Sequence, residues 1–536
     1  MKQGEGAMSE FNISTIDLIV LVAYVIGTRI LFGWYFGRKS QEGSESYFLA
    51  GRQIAWPIIG LSFYVSNMSG SSFVGLPGSG YNDGIAVYNY EWVASIILIF
   101  FVFFILPFYL KAGVFTAPQF LETRYGKAPK YIFSAFLLLA SIFIDAAAAL
   151  YAGATVAKAI YPDIPLWITV AVTAAIAGVY IFFGGLGAVV INDALQALLI
   201  FAGGATIAVL AYMQIPSWEA VEVSAADDAM HLIQPASDDL LPWPGILSGI
   251  LIVGFYFWCT NQFVIQRALG SKNLDHGRWG ALFAGVLKLP NLFILILPGV
   301  MATELYPELE SPDLVFPTLA FDLLPVGLRG LMLAAMAAAI LSSLEAILNS
   351  ASTLLTMDFI RSLRPKTSDK SLMNIGRIAT LGFMVLSAVW APQITRFPTL
   401  WQYLQSILAY TTPAVVVVFL MGIFWRRANH AGAVATLTLG IPLGIVGWVA
   451  IEIYNVWTFQ FLYASGIVFS ISLALMVGVS LLTKAPNFEE ITKFTWKHAV
   501  WKAETEELRE KSWYQNYRYM AVALAVLTSI IVVWWW

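Results

Sequence analysis

The sequence is built from apolar runs of about 20 residues, the length a helix needs to cross roughly 30 Å of hydrocarbon. Fourteen runs begin near Ile16, Trp56, Val87, Tyr131, Leu166, Ile191, Trp243, Trp279, Leu328, Met373, Trp401, Gly432, Phe461 and Tyr519. With 59% hydrophobic residues, 12% charged residues and a mean hydropathy of +0.74, the chain reads as an all-α integral membrane protein. A net charge of -3 gives no reason to expect nucleic acid or another strongly charged partner. The single cysteine, Cys259, lies inside an apolar run, so neither a disulfide framework nor a cysteine metal site is expected. The first ten residues are polar and lack a basic region leading to a cleavage site, so the first run is expected to be retained.

Basic residues orient the spans, because short cytoplasmic loops concentrate Lys and Arg. Arg38, Lys39 and Arg52 follow the first span, Arg124, Lys127 and Lys130 the third, and Arg267, Lys272 and Arg278 the seventh. The pattern continues with Arg361, Arg364, Lys366 and Lys370, then Arg426 and Arg427, then the mixed-charge stretch 484–518. The long 215–241 loop lacks Lys and Arg but carries Glu219, Glu222, Asp227, Asp228, Asp238 and Asp239. The expected placement is multi-pass in the plasma (inner) membrane, with both termini outside.

Spans two to six and seven to eleven form two groups of five, and an odd number makes the second group enter from the opposite side. That is the arithmetic of an inverted repeat. The expected organisation is an extra helix and inner loop over 1–55, a first repeat over 56–214, an acidic outer loop over 215–242, a second repeat over 243–427, and three further helices with an inner charged segment over 428–536. Both repeats open on Trp-Pro, at Trp56-Pro57 and Trp243-Pro244. The first span of each is interrupted, by the polar stretch 67–72 and by Gly254 with Cys259-Thr260-Asn261-Gln262. Such a break is expensive in lipid unless it lines a site, and paired discontinuous helices form the midplane sites of inverted-repeat transporters. The competing reading, that Gly and Ser merely permit close packing, suits one break better than two at matching positions.

A small, hard monovalent cation is best held by several neutral oxygens, from hydroxyls and from carbonyls freed by unwound backbone. Ser342-Ser343 supply adjacent hydroxyls after the alanine-rich stretch 334–340, and the carbonyls of Val65 and Met68 flank the first break. Alone, a serine pair also fits bonding to its own helix or packing.

Tyr47-Phe48-Leu49-Ala50-Gly51-Arg52, Gly78-Ser79-Gly80-Tyr81, Tyr90-Glu91-Trp92, Gly184-Gly185-Leu186, Asn261-Gln262, Gln266-Arg267 and Ser342-Ser343 occur in this order. Together they resemble the sodium:solute symporter family, particularly its bacterial sodium/galactose and animal sodium/glucose cotransporters, from about residue 14 to the last span. The resemblance implies about 14 transmembrane helices, a five-plus-five LeuT-like core and alternating access. It also implies symport of sodium with a sugar or sugar-like polyhydroxylated solute. It implies a sodium site of the carbonyls of Val65, Met68 and Ala339 and the hydroxyls of Ser342 and Ser343. It implies solute contact or support by Asn67, Ser72, Glu91, Phe257, Trp258, Lys288 and Gln405. Glu91 and Lys288 stand out unaided, since ionisable groups at mid-membrane usually face a cavity or one another; a structural ion pair is the competing reading.

Asp193 matches an acid that family members place near the ion path, and Asp145 and Glu345 are further candidates there. Ala346 stands where members with a second sodium site tend to carry a hydroxyl, which argues for one sodium. Alternatively, Asp193 and Glu345 bind a proton or second cation, or form local hydrogen bonds. Against the sugar pattern, Ser72 replaces a larger Gln or His, Gly254 an Asn, Ala94 a Ser, and Phe257 a tyrosine. The smaller side chains predict a roomier pocket and a solute larger than galactose, such as a disaccharide.

Other classes fit less well. His231, His276, His430 and His498 fall in loops without a His-Glu-x-x-His motif, which disfavours an intramembrane enzyme. A channel would draw rings of carbonyls or charges from several subunits. The rival within the fold is a symporter for an amino acid, a sugar acid or inositol. A carboxylate solute calls for a deep Arg or helix N-terminus, whereas the deep basic residue here is Lys288.

Overall fold

The computed structural model describes residues 13–24, 27, 50–161, 163–181, 186–225 and 228–536. Their regular elements are helices, with two isolated bridges, Ile54 with Ser271 and Gln234 with Pro242. Among these residues ten helices are long and apolar enough to cross a bilayer. Leu400–Thr411 and Pro413–Phe424, bent by 53°, add an eleventh as a pair, and Thr15–Tyr24 and Leu166–Gly178 are apolar but shorter. Arg38, Lys39, the Tyr47 to Leu49 part of the first motif and Gly184-Gly185 lie outside the described residues.

The run from Trp56 forms two helices. Trp56–Asn67 carries Pro57 in its first turn, where the missing N–H costs nothing. It stops at Met68 (φ -80°, ψ 60°), and Ser69 is extended (φ -74°, ψ 174°) before Gly70–Asp83 begins. Around this break no backbone N–H among the described residues reaches the carbonyl of Val65 or Met68. The Asn67 carbonyl instead accepts the Ser72 hydroxyl at 2.6 Å, so the polar stretch replaces part of the ladder it interrupts. The second break follows the π-helical turn Tyr256–Thr260 and ends at extended Asn261 (φ -69°, ψ 123°). There the Tyr109 hydroxyl donates to the Cys259 carbonyl at 2.7 Å.

Lipid supplies no hydrophobic drive between helices, so close approach depends on small residues. A Cβ on Gly60 would lie 2.9 Å from the Gly280 carbonyl oxygen, which lets Trp56–Asn67 pack backbone to backbone on Leu274–Lys288. A Cβ on Gly70 would lie 2.2 Å from Ile340 Cγ1. The first break is thereby pressed onto Leu328–Thr353, beside Ser342 and Ser343.

Two arginines expected to mark cytoplasmic loops are buried, Arg267 at 1% exposure and Arg278 at 4%. Arg278 pairs with Glu504 at 2.6 Å and donates to the Val102 carbonyl at 3.1 Å. The mixed-charge stretch thus forms a helix, His498–Arg509, strapped to the membrane core. Burial alone would raise the Glu504 carboxyl, but Arg278, Tyr517 and Arg518 outweigh it and hold it below its ordinary value.

Candidate cation and solute site

A cavity of about 840 Å³ lies between Leu166–Ile181 and Asp369–Trp390 and is lined by apolar residues such as Val170, Ala174, Leu381 and Met384. It offers no polar chemistry. A smaller cavity of about 90 Å³ lies between the two breaks. It gathers Asn67, Ser72, Glu91, Phe257, Trp258 and Gln405 from the expected solute set, together with Asp145.

Lys288 stands behind that wall, fully buried, and forms an ion pair with Glu91 and a hydrogen bond to Asn67 Oδ1. Its ammonium lies 5.9 Å from the Trp258 ring centroid and 3.9 Å from Met68 Sδ. Glu91 Oε2 also accepts from Asn291 Nδ2 at 2.5 Å. The Tyr64 hydroxyl in turn donates to Asn291 Oδ1 at 2.8 Å. Neither Asn291 nor Tyr64 was legible as a site residue. Both sit in apolar runs, and the only signal was a lone amide three positions after Lys288.

Two buried polar atoms at the cavity have no hydrogen-bond partner among the described residues, Gln405 Oε1 and Trp401 Nε1. A buried group left this way costs about 1–3 kcal/mol, and a solute offering a donor and an acceptor removes that cost. Phe257 meets Trp258 edge-on at 5.2 Å and Phe263 at 5.8 Å, so its ring is held by neighbouring aromatics. The expected extra room is absent: a Cβ on Gly254 would lie 2.4 Å from Ile97 Cδ1. The space the glycine frees is filled from the facing helix, and the cavity is well below the roughly 300 Å³ of a typical ligand cleft. The disaccharide expectation finds no support in this geometry.

On the cation side, Val65, Met68, Ala339, Ser342 and Ser343 are all buried. The Ser342 hydroxyl donates to Asp193 Oδ1 at 2.5 Å, which leaves both its lone pairs for a cation. The Ser343 oxygen is buried with no hydrogen-bond partner among the described residues. With the Val65 and Met68 carbonyls free of backbone bonds, this donor set suits a small cation.

Asp193 is 0% exposed and compensated. Its Oδ2 meets Arg267 Nη2 at 3.0 Å and accepts from the Ser62 hydroxyl at 2.6 Å. Arg267 also donates to Ser62 Oγ at 2.8 Å and to the Phe263 carbonyl. Three helices therefore converge on a carboxylate carried by a fourth. Glu345 is buried at 2% exposure on the serine helix, and Asp145, in the π-helical turn Ser141–Ala146, is bonded by the Asn261 side chain.

The sequence profile of the sodium:solute symporter family matches residues 47–440. The chain is 34% identical over 531 residues to the rabbit (Oryctolagus cuniculus) sodium/myo-inositol cotransporter 2, covering 90% of this chain and 78% of that one. It is 32% identical over 535 residues to the rabbit sodium/glucose cotransporter 1, covering 90% and 81%. Its fold matches the substrate-bound outward-open structure of a Na+-coupled sialic acid symporter with a TM-score of 0.75 at 21% identity, covering 89% of this chain and all of that one. A nucleobase-cation-symport-1 family transporter with bromovinylhydantoin bound follows at a TM-score of 0.51 and 13% identity, covering 83% and 97%. The profile match and the two cotransporters place the residue pattern in one lineage: the chain belongs to the sodium:solute symporter family.

Proposed function

We propose that the chain imports a neutral polyhydroxylated ring, a hexose or an inositol, by sodium symport. The observation that carries this reading is the state of the ionisable group on the cavity wall, Glu91, and of the one behind it, Lys288. Glu91 and Lys288 neutralise each other, while Asn67, Gln405 and Trp401 present hydrogen-bonding groups between aromatic faces. A sugar acid or amino acid would need an uncompensated cation for its carboxylate, and Lys288 is already paired. The relatives named for myo-inositol and for glucose are both neutral-ring cotransporters, at 34% and 32% identity, and the margin between them is too small to choose.

In this reading Val65, Met68, Ala339, Ser342 and Ser343 hold one sodium ion, with Asp193 orienting the Ser342 hydroxyl. Asn67, Glu91, Trp258, Lys288 and Gln405 serve the solute, Phe257 gates it on the inner side, and Ser72 shapes the break. The core is an inverted five-plus-five repeat within a fourteen-span chain whose termini both face outside. The test is uptake into proteoliposomes of myo-inositol, D-glucose, D-galactose, sialic acid and proline, with sodium or choline outside. Sodium-dependent accumulation of the neutral rings is expected; uptake indifferent to choline replacement, or preference for sialic acid or proline, overturns the reading.

A further inference from the structure

Asn291, like Lys288 one helical turn before it, touches both halves of the site. Fully buried, it stands immediately before the π-helical turn Leu292–Ile296. Its Nδ2 donates to Glu91 Oε2 at 2.5 Å and to Met68 Sδ at 3.1 Å, and its Oδ1 accepts the Tyr64 hydroxyl at 2.8 Å. An asparagine amide offers two donor hydrogens and one oxygen, and here each is engaged. Glu91 belongs to the solute wall. Met68 and Tyr64 belong to the broken helix, where the Met68 N–H closes the last turn on the Tyr64 carbonyl at 2.8 Å. The carbonyls of Val65 and Met68 point from that same turn.

We infer that Asn291 is the positioning residue that couples solute to sodium. The inference rests on the symport reading above. A hydroxyl of the solute that engages Glu91 or Lys288 changes the pull on the Asn291 amide, which is bonded to the last helical turn before the break. The turn holds its carbonyls in place only while Tyr64 and Met68 are held. Coupling between two ligands is reciprocal and typically about 5–150-fold. The two ligands therefore strengthen each other by one factor, and Asn291 sets that factor without touching the cation.

The test is equilibrium binding of radiolabelled myo-inositol and D-glucose to the purified full-length chain, in sodium and in choline, with the ratio of the two Kd values as readout. The wild type is expected to bind about tenfold or more tightly in sodium. Asn291→Leu, close in size but without hydrogen bonds, is expected to bring the ratio to within about twofold of one, and Asn291→Gln, which keeps the amide on a longer arm, to restore most of it. Tyr64→Phe removes a single hydroxyl and is expected to give an intermediate ratio. It also decides the matter where the leucine variant does not fold. A folded Asn291→Leu variant with the wild-type ratio, or an unchanged ratio in Tyr64→Phe, overturns the inference while leaving the symport reading intact. A wild-type ratio of one with both probes overturns the symport reading and this inference together.

Discussion

Ser342 and Ser343 are adjacent in the chain but differ in chemistry, because only the first has its proton taken up by Asp193. An unpartnered buried hydroxyl is the better test of a cation site, since its removal disturbs no other bond. Ser343→Ala is therefore expected to raise the sodium concentration for half-maximal uptake by about tenfold, the worth of one ion–hydroxyl contact of roughly 1.4 kcal/mol. The order of preferred solutes stays unchanged; a variant with unaltered sodium dependence removes Ser343 from the site. The Glu91–Lys288 pair yields a contrasting expectation. Breaking one side of a buried pair costs about 3–5 kcal/mol, whereas replacing both sides is nearly neutral. Lys288→Met should thus melt well below the wild type in detergent, and Lys288→Met with Glu91→Leu should regain stability but not uptake. Glu91, Lys288 and the serines were legible because ionisable or paired polar groups stand out in apolar runs. Asn291, Tyr64 and the Arg267 partnership were not. An arginine near a loop reads as a topology signal, and nothing local shows that Ser62 and Asp193 meet it from other helices.

At the scale of elements, the two breaks were readable from polar and glycine residues inside spans, and the structure places both beside the cavity. What the sequence did not convey is compensation across helices. Gly254 promised room that Ile97 fills, because packing is set by the facing helix rather than by the residue itself. Gly70 is the inverse case. Gly70→Ala drives a methyl into Ile340 and should cost about 1–3 kcal/mol of stability as overpacking. It should weaken sodium binding as well, since the break then stands off the serine helix. Ile340→Ala in the same chain should recover both, as read by thermal melting and sodium titration. The turn Pro312–Leu314 carries another device. Asp313 is 2% exposed and accepts the Leu400 N–H at 3.2 Å, and burial pushes its carboxyl from the ordinary 3.8 up to about 7. An acid with a raised folded-state pKa keeps its proton where the unfolded chain has released it. Folding stability must then fall as pH rises from about 4 to 7, by at most about 4 kcal/mol at 1.4 kcal/mol per unit. Asp313→Asn removes this contribution, so its melting temperature should match the wild type near pH 4 and exceed it by a margin that grows up to pH 8. A difference between variant and wild type that does not change over this interval contradicts the assignment.

For the whole molecule the question is how steep a solute gradient the site can sustain. One sodium ion moving down about 100 mV contributes roughly 2.3 kcal/mol, and a tenfold concentration ratio adds about 1.4 kcal/mol. Their sum supports roughly 500-fold accumulation of a neutral solute, and a second coupled ion would square that limit. The arrangement of charges favours the single ion. Asp193, which accepts the Ser342 hydroxyl, is compensated by Arg267 and bonded also by Ser62, and Ala346 supplies no side-chain oxygen on the serine helix. A second cation at Asp193 would have to displace the Arg267 guanidinium from a carboxylate it meets at 3.0 Å in a site almost closed to water, where removing one partner costs several kcal/mol. Solute uptake against sodium concentration should consequently follow a Hill slope near one, and inward current should carry one charge per solute molecule in proteoliposomes clamped at a fixed potential. Arg267→Ala should then abolish transport by leaving Asp193 uncompensated, rather than create a second ion site. A Hill slope near two in the wild type, with two charges per solute, would overturn the single-ion reading.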